Sequence, residues 1–229
     1  MSRNMTIWIE IVFNILYLLV IWGLVVKMIL NRRSVKPVDE KPAKYFLWAF
    51  ALLALGDTGH VGFRVLAYAM GGLEKNGVLV GLGALATAVT VTLFYVMVLE
   101  AWRTRFKKNY GLIGVVLLTA AVIRLILMIP AQNQWTSPLP PADWSIYRNI
   151  PLMVQGIGAA ALILKDALKN RDRVFKWVSI MILVSYACYM PVIFLVRRIP
   201  AIGMLMIPKT MAYMAIAFIS YYAFYRGDK

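Results

Sequence analysis

Cysteine and histidine are nearly absent from this sequence. Cys188 and His60 are the single examples among 229 residues. One cysteine cannot form an internal disulfide, and one cysteine with one histidine cannot supply the ligands of a structural zinc site. These counts exclude a disulfide scaffold, a zinc finger and a Cys-rich redox site. We expect Cys188 to be a small apolar packing residue, and we predict no metal and no cofactor.

Charged residues are also scarce, at 15% of the chain against about a quarter in an average soluble domain. Hydrophobic residues make up 62%, and the mean hydropathy is +0.73. The apolar excess falls in seven runs of roughly 20 residues, the length that crosses a hydrocarbon core about 30 Å thick. The runs lie near residues 6–29, 44–70, 77–102, 110–130, 146–167, 174–196 and 203–225.

Each apolar run is predicted to be a helix, because backbone polar groups inside lipid must be satisfied within the segment itself. A soluble helical protein of this length would also need amphipathic surface helices, and the sequence shows none. We therefore predict an all-α integral membrane protein in which residues 1–229 form a single transmembrane domain, a seven-transmembrane-helix bundle.

Acidic residues are few: 10 against 25 basic residues, a net charge of +15. In a soluble protein this excess would indicate nucleic acid, but 17 of the basic residues lie in the connections after the first, third and fifth runs and in the tail. The positive-inside rule makes that side cytoplasmic, which places the N-terminus outside and the C-terminus in the cytoplasm. We expect a multi-pass protein of the cell (plasma or inner) membrane that contacts membrane lipids and binds no nucleic acid.

The connection at residues 131–145 is rich in proline and tryptophan and contains no lysine or arginine. Its prolines favour an extended or turned backbone, and its tryptophans suit the membrane–water interface. Two interpretations stay open: a lid over the outer mouth, or an ordinary interfacial loop. Close helix packing is predicted by the small residues Gly77, Gly81 and Gly83 in the third run and Gly156 and Gly158 in the fifth.

Three cations interrupt the outer parts of three different runs. Arg64, Arg124 and Lys209 each lie about six residues from the outer end of their helix, or about 9 Å inward. Arg148 lies at the mouth of the fifth run. An ionisable side chain at such a depth is costly unless it is paired or hydrated, so these residues are the first candidates for a functional site.

Acids at similar depth are fewer than the cations. Glu10 lies in the first run, and Asp57, His60 and Arg64 share one face of the second helix at spacings i, i+3 and i+7. Four positive charges against two negative ones indicate an outward-facing cationic pocket for a carboxylate, a phosphate or a lipid headgroup. The alternative is a structural network in which Asp57 pairs with an arginine, Glu10 pairs with Lys209, and the remaining cations reach the interface.

Polar and aromatic side chains in the same runs support a cavity. Tyr186, Tyr189 and Tyr213 are predicted to line its apolar part, and Pro208, next to Lys209, permits a kink there. Other polar residues that interrupt the apolar runs are Asn14, Tyr17, Thr87, Thr90, Gln155 and Ser185. Hydroxyls in membrane helices often bond their own backbone, so each of these alone carries little weight.

With seven predicted helices and a lysine, Lys209, in the last one, the sequence resembles the microbial rhodopsins, in which such a lysine carries retinal. The sequence departs from that family where its chemistry would require agreement. The third run contains no embedded aspartate as a counter-ion, and no aspartate precedes Lys209 by one turn in the segment IGMLMIPKT. The resemblance therefore does not extend to a retinal site.

Three functional hypotheses follow from the sequence. The leading one is a transporter, or binding protein, for a small anionic or anionic-headgroup ligand, with Asp57 and His60 positioning Arg64 or titrating in proton coupling. The second is a receptor or sensor subunit that signals to a cytoplasmic partner. The third is an intramembrane lipid-modifying enzyme with Asp57 and His60 as an acid–base pair. The sequence leaves a homo-oligomer open.

Overall fold

The computed structural model describes residues 3–137 and 139–227, with side chains from residue 11 onward. The described chain contains seven α-helices and no strand, which confirms the all-helical prediction. They are α1 (Arg3–Leu30), α2 (Glu40–Ala69), α3 (Gly77–Arg105), α4 (Gly111–Leu127), α5 (Ala142–Lys169), α6 (Arg173–Leu195) and α7 (Met206–Phe224). Short 3₁₀ turns occupy four stretches of the connections.

Six of the described helices are long and apolar enough to cross a membrane, and α4 is a shorter apolar helix of 17 residues. At 1.5 Å per residue, α4 extends roughly 25 Å. The predicted fourth run continued to residue 130, but the helix ends at Leu127. Pro130 disfavours continuation, and the side-chain amide of Asn133 donates to the carbonyl of Leu127 at 2.8 Å. The architecture is that of a multi-pass helical membrane protein.

The helices form a ring in which each packs on the next and α7 returns to α1. They alternate in direction, so the beginning of α1 and the end of α7 lie at opposite ends of the bundle. We call the end with the N-terminus and the α2–α3, α4–α5 and α6–α7 connections the N-side, and the opposite end the C-side. Contacts between α3 and α5 and between α2 and α7 cross the interior.

The α2–α3 pair is held by unusually close backbone approach. A Cβ atom built on Gly83 would lie 2.9 Å from the carbonyl oxygen of Gly59, and one built on Gly56 would lie 1.8 Å from Oγ1 of Thr90. No side chain fits at these contacts, so only glycine permits the two backbones to pack at this separation. The packing role predicted for small residues on the third helix is observed here.

Aromatic rings fill the interior of the C-side half. The ring of Phe46 packs against those of Phe50, Phe175 and Phe224 at centroid distances of 6.5, 5.6 and 5.8 Å. Phe50 in turn meets Phe94 edge to face at 5.6 Å. Four of these five rings are fully inaccessible, and Phe224 is 5% exposed. Edge-to-face and tilted ring pairs of this kind add specific geometry to apolar packing, so this half has a dense interior.

Ion pairs tie the helices together at the C-side. Arg105 at the end of α3 donates from Nε to Asp172 at 2.7 Å and from Nη1 to Asp39 in the α1–α2 connection. Nζ of Lys108 lies 2.5 Å from Asp166 on α5. The same carboxylate accepts from the indole Nε1 of Trp102 at 2.9 Å. These contacts connect α2, α3, α5 and α6 at one end of the bundle.

The α4–α5 connection packs against the bundle at the N-side. The backbone carbonyl of Trp135 lies directly against Gly81 of α3. A Cβ atom built on Gly81 would lie 1.5 Å from this carbonyl oxygen. The Trp135 indole donates to the carbonyl of Met128 at 2.9 Å, and Asn133 is fully buried. The absence of a side chain at Gly81 therefore lets this connection lie directly over the N-side end of α3.

Candidate functional site

Arg124 of α4 lies in the interior of the N-side half with 3% of its surface exposed. Its Nε donates to the backbone carbonyl of Arg148 at 3.0 Å, and its Nη1 donates to Oγ1 of Thr92 at 2.8 Å. Both acceptors are neutral. Among the described side chains, no carboxylate forms an ion pair with Arg124, and its Nη2 has no hydrogen-bond partner.

Arg148 of α5 lies beside Arg124 and is 7% exposed. Its Nη1 donates to Oδ1 of Asn133 at 3.1 Å, and its guanidinium stacks on the Trp135 ring at 4.5 Å. A cation over an aromatic face is stabilised by the ring quadrupole. The second buried arginine thus also contacts only neutral groups within the described part of the chain, and the α4–α5 connection covers it.

Lys209 of α7 contributes a third cation. Its Nζ lies 4.5 Å from the ring centroid of Tyr189 and 5.8 Å from that of Tyr213. Lys209 is close enough to Arg124 and to Asp57 for electrostatic interaction, but it forms no ion pair with any described carboxylate. The sequence predicted that cations from several helices meet, and the structure places Lys209 and Arg124 in one electrostatic environment.

Asp57 of α2 accepts hydrogen bonds from two hydroxyls. Oη of Tyr17 on α1 donates to Oδ2 at 2.8 Å, and Oγ1 of Thr87 on α3 donates to Oδ1 at 2.7 Å. The structural-network alternative paired Asp57 with Arg64 or Arg124; among the described contacts, Arg124 binds a carbonyl and a hydroxyl instead. Within the described residues, Asp57 has no ion pair.

His60 and Gln155 present polar atoms without partners. Nδ1 of His60 and Oε1 of Gln155 are buried and have no hydrogen bond among the described residues. Gln155 is 1% exposed, and its Nε2 donates to the backbone carbonyl of Thr92 at 3.2 Å. A buried acceptor without a donor costs about 1–3 kcal/mol. A hydrogen-bond donor beside Oε1 of Gln155 would remove this cost. Arg64 lies on the same helix as His60, within its electrostatic range.

The three predicted tyrosines lie at the boundary between the two halves, and each hydroxyl has a partner. Tyr186 donates to the carbonyl of Leu152 at 2.9 Å, and Tyr189 donates to Oδ1 of Asn149 at 3.1 Å. The hydroxyls of Tyr213 and Tyr95 lie 2.7 Å apart. The tyrosines therefore form an ordered wall beside Lys209. Glu10, the remaining predicted site residue, lies outside the described side chains.

Thr92, Asn133 and Asn149 were missed by reasoning from charge. Each is neutral, and each holds a site residue: Arg124, Arg148 and Tyr189 respectively. The sequence offered one signal for these residues: Asn149 directly follows the predicted site residue Arg148. No group of three potential metal ligands from His, Cys, Asp and Glu occurs in the part of the chain with described side chains.

These contacts define a polar cluster in the interior of a multi-pass helical membrane protein, built from α1 to α7 on the N-side. Comparison with protein-family models, with curated proteins and with solved structures yields no match for the chain. Functional inference therefore rests on the chemistry of the cluster.

Proposed function

We propose that the chain is a seven-helix membrane transporter for a small anionic ligand, or one with an anionic headgroup. In this proposal α4 is the seventh span, the N-side faces outward and the C-side faces the cytoplasm. The observation that carries it is the pair of buried arginines, Arg124 and Arg148, whose guanidinium groups contact only neutral acceptors and an aromatic ring in the described structure.

Burial makes these charges expensive, and an anion would offset the cost. Removing a cation from water costs several kcal/mol that neutral hydrogen bonds recover only in part. A carboxylate or phosphate supplies the missing counter-charge, and a guanidinium matches either group through parallel N–H donors. Nη2 of Arg124 is the donor left for this contact. Lys209 adds charge, while the rings of Tyr189 and Tyr213 suit an apolar ligand body.

The two ends of the bundle support transport over simple binding. Aromatic packing and the ion pairs of Arg105 and Lys108 close the C-side, whereas polar groups occupy the N-side interior. Release toward the C-side would require those contacts to separate. Water can replace the ion pairs among these contacts, and in this proposal the closed C-side is one state of an alternating-access cycle.

Calorimetry on the purified protein in lipid nanodiscs tests anion binding. The probes are benzoate, inorganic phosphate and a lysophosphatidate, which separate a free anion from a lipid headgroup. Arg124→Gln and Lys209→Gln should each weaken binding by about 30-fold or more, since removing a buried partner of a bound charge costs roughly 2 kcal/mol at least.

Arg198→Gln is the matched control, because Arg198 is an exposed N-side cation, and this variant should bind as the wild type does. Size-exclusion profiles and melting temperatures establish whether each variant folds. If Arg124→Gln does not fold, the charge-conserving variant Arg124→Lys replaces it. Equal binding by wild type and Lys209→Gln would contradict the proposal. Uptake of radiolabelled probe into proteoliposomes then separates a transporter from a binding protein.

A receptor or sensor is the second candidate, favoured by a C-side groove. Its cavity measures about 500 Å³ and lies between the end of α3 and the α5–α6 connection. Basic residues dominate its lining: Arg105, Lys107, Arg171 and Arg173. An acidic segment of a soluble partner would fit this charge. Reversal of Lys107 and Arg171 to Glu should then abolish ligand-dependent signalling while leaving uptake unaltered. The enzyme hypothesis ranks last, because Asp57 and His60 form no hydrogen bond with each other.

A further inference from the structure

We infer that the site binds its anion together with a proton, and that Asp57 is the residue that takes the proton up. The inference rests on the proposed anion site and adds the coupled ion to it. It comes from the kind of groups that surround Asp57, which differ from those around the other buried or partly buried acids in the described structure.

Asp57 is bonded by hydroxyls on both oxygens. The hydroxyls of Tyr17 and Thr87 can donate to a carboxylate, and each can rotate to accept from a carboxylic acid. In either protonation state, Asp57 can therefore keep one hydrogen bond to each of the two hydroxyls without movement of the backbone. This is the arrangement expected of a group that gains and loses a proton during a working cycle.

The acids of the C-side are surrounded by groups that can only donate. Asp166 accepts from Trp102 and Lys108, and Asp172 accepts from Arg105 and from the backbone N–H of Phe175. Indole, ammonium, guanidinium and amide N–H groups have no acceptor to offer a protonated acid. Asp39 and Glu100 likewise face arginine side chains. The partners of these four acids therefore suit only a carboxylate, whereas the hydroxyl partners of Asp57 suit either form of the acid.

Several charged or titratable groups face Asp57 from the helices around it. They are Tyr17 on α1, His60 and Arg64 on α2, and Lys209 and Tyr213 on α7, while α3 offers the neutral hydroxyl of Thr87. Glu10 on α1 lies outside the described side chains. The charge of Asp57 is thus balanced through space by Lys209 and its neighbours rather than by a direct ion pair with a described residue.

An anion that engages Lys209 and Arg124 removes this balance. Two negative groups then share cations in a region of low dielectric constant, where like charges repel strongly. Uptake of one proton resolves the conflict: an O–H bond forms on an Asp57 oxygen with a proton from water, and a hydroxyl of Tyr17 or Thr87 turns to accept it. No other bond changes. Anion and proton then cross together.

Proton uptake can be measured directly on the whole protein. Benzoate, which stays ionised near neutral pH, is titrated calorimetrically at one pH in two buffers with different ionisation enthalpies. The wild type should take up about one proton per benzoate, and its affinity should fall about tenfold per pH unit as the pH rises. Asp57→Asn, which satisfies both hydroxyls as the protonated acid does, should bind benzoate with no proton uptake and no such pH dependence.

Asp143→Asn is the matched control, because Asp143 is an exposed acid in the first turn of α5, and this variant should retain the proton uptake. Loss of uptake in His60→Gln with retention in Asp57→Asn would overturn the assignment. Benzoate binding by the wild type without proton uptake would overturn the coupling while leaving the anion site intact. Absence of benzoate, phosphate and lysophosphatidate binding would overturn both proposals.

If Asp57→Asn does not fold, the Tyr17→Phe/Thr87→Val pair replaces it. Removal of both donor hydroxyls leaves Asp57 protonated before the anion arrives, so uptake on binding should fall toward zero. Unchanged uptake in the folded double variant would count against Asp57 as the acceptor.

Discussion

The two halves of the bundle hold their charged side chains in different ways. In the C-side half, cations and carboxylates bind each other directly, as Arg105 does with Asp172 and Asp39. In the N-side half, the arginine Arg124 binds a hydroxyl and a carbonyl, and Asp57 binds two hydroxyls. Opposite charges lie within electrostatic range on the N-side and yet form no described ion pair.

The ion pairs of the C-side favour one charge state of each partner. The hydroxyl contacts of the N-side tolerate a change in the charge of the residue that they bind. A direct ion pair is strongest when both partners are ionised, and loss of either charge leaves the other one buried and uncompensated. A hydroxyl partner has no such preference. The C-side therefore serves the fold, and the N-side keeps the chemical freedom that a ligand site needs.

The largest expected effect probes the dense interior of the C-side. Phe46→Ala removes a fully buried ring that contacts three others and should destabilise the protein by about 3–5 kcal/mol. Phe63→Ala, on the N-side half of the same helix, truncates a partly exposed ring and should cost less. Melting temperatures in one detergent compare the two variants. Equal losses would show that the halves do not differ in packing.

A smaller effect is expected from the same isosteric change made in each half. Asp166→Asn places an amide N–H₂ group against the donors of Trp102 and Lys108, and should cost about 1–3 kcal/mol. Asp57→Asn can keep one hydrogen bond to each hydroxyl, so we expect it to cost less than Asp166→Asn does. Denaturation midpoints measured side by side test this contrast. A reversed order would remove the basis of the proton assignment.

The smallest expected effect concerns the hydroxyl pair at the boundary of the halves. Tyr95→Phe or Tyr213→Phe leaves one buried hydroxyl without its partner at 2.7 Å and should cost about 1 kcal/mol. The double variant leaves no hydroxyl to satisfy, so it should recover part of that loss. A double-mutant cycle on thermal stability measures the coupling. Strict additivity would show that the pair does not interact.

The helices could be predicted from the sequence because length and hydropathy determine what can cross a lipid core. The bounds of α3 and α5 differ from the predicted runs by a few residues, since polar end turns such as Arg103–Arg105 remain helical beyond the apolar stretch. The end of α4 could not be predicted, because it depends on an amide from Asn133, six residues further along the chain.

The sequence predicts the charged members of the candidate site and its three tyrosines, but not the neutral residues that hold them. Arg124, Arg148 and Lys209 stand out because a cation in an apolar run is rare. Their partners do not, since Thr92 in a membrane helix reads the same whether it bonds its own backbone or an arginine from another helix. Here it does both, donating to the carbonyl of Ala88 and accepting from Arg124. Such pairings depend on which face each helix turns toward its neighbours. In a helix that is apolar on all sides, the sequence pattern does not reveal that face.

The glycine contacts between α2 and α3 make those two helices a rigid frame, with α1 and α7 resting against it. Asp57 and Thr87 both belong to the frame, so their hydrogen bond persists through any rocking of the remaining helices. Tyr17 lies on α1 and Lys209 lies on α7, outside this pair of helices. In the proposed transport cycle, a shift of α1 or α7 would therefore change the electrostatic surroundings of Asp57 while its hydrogen bond to Thr87 stays in place.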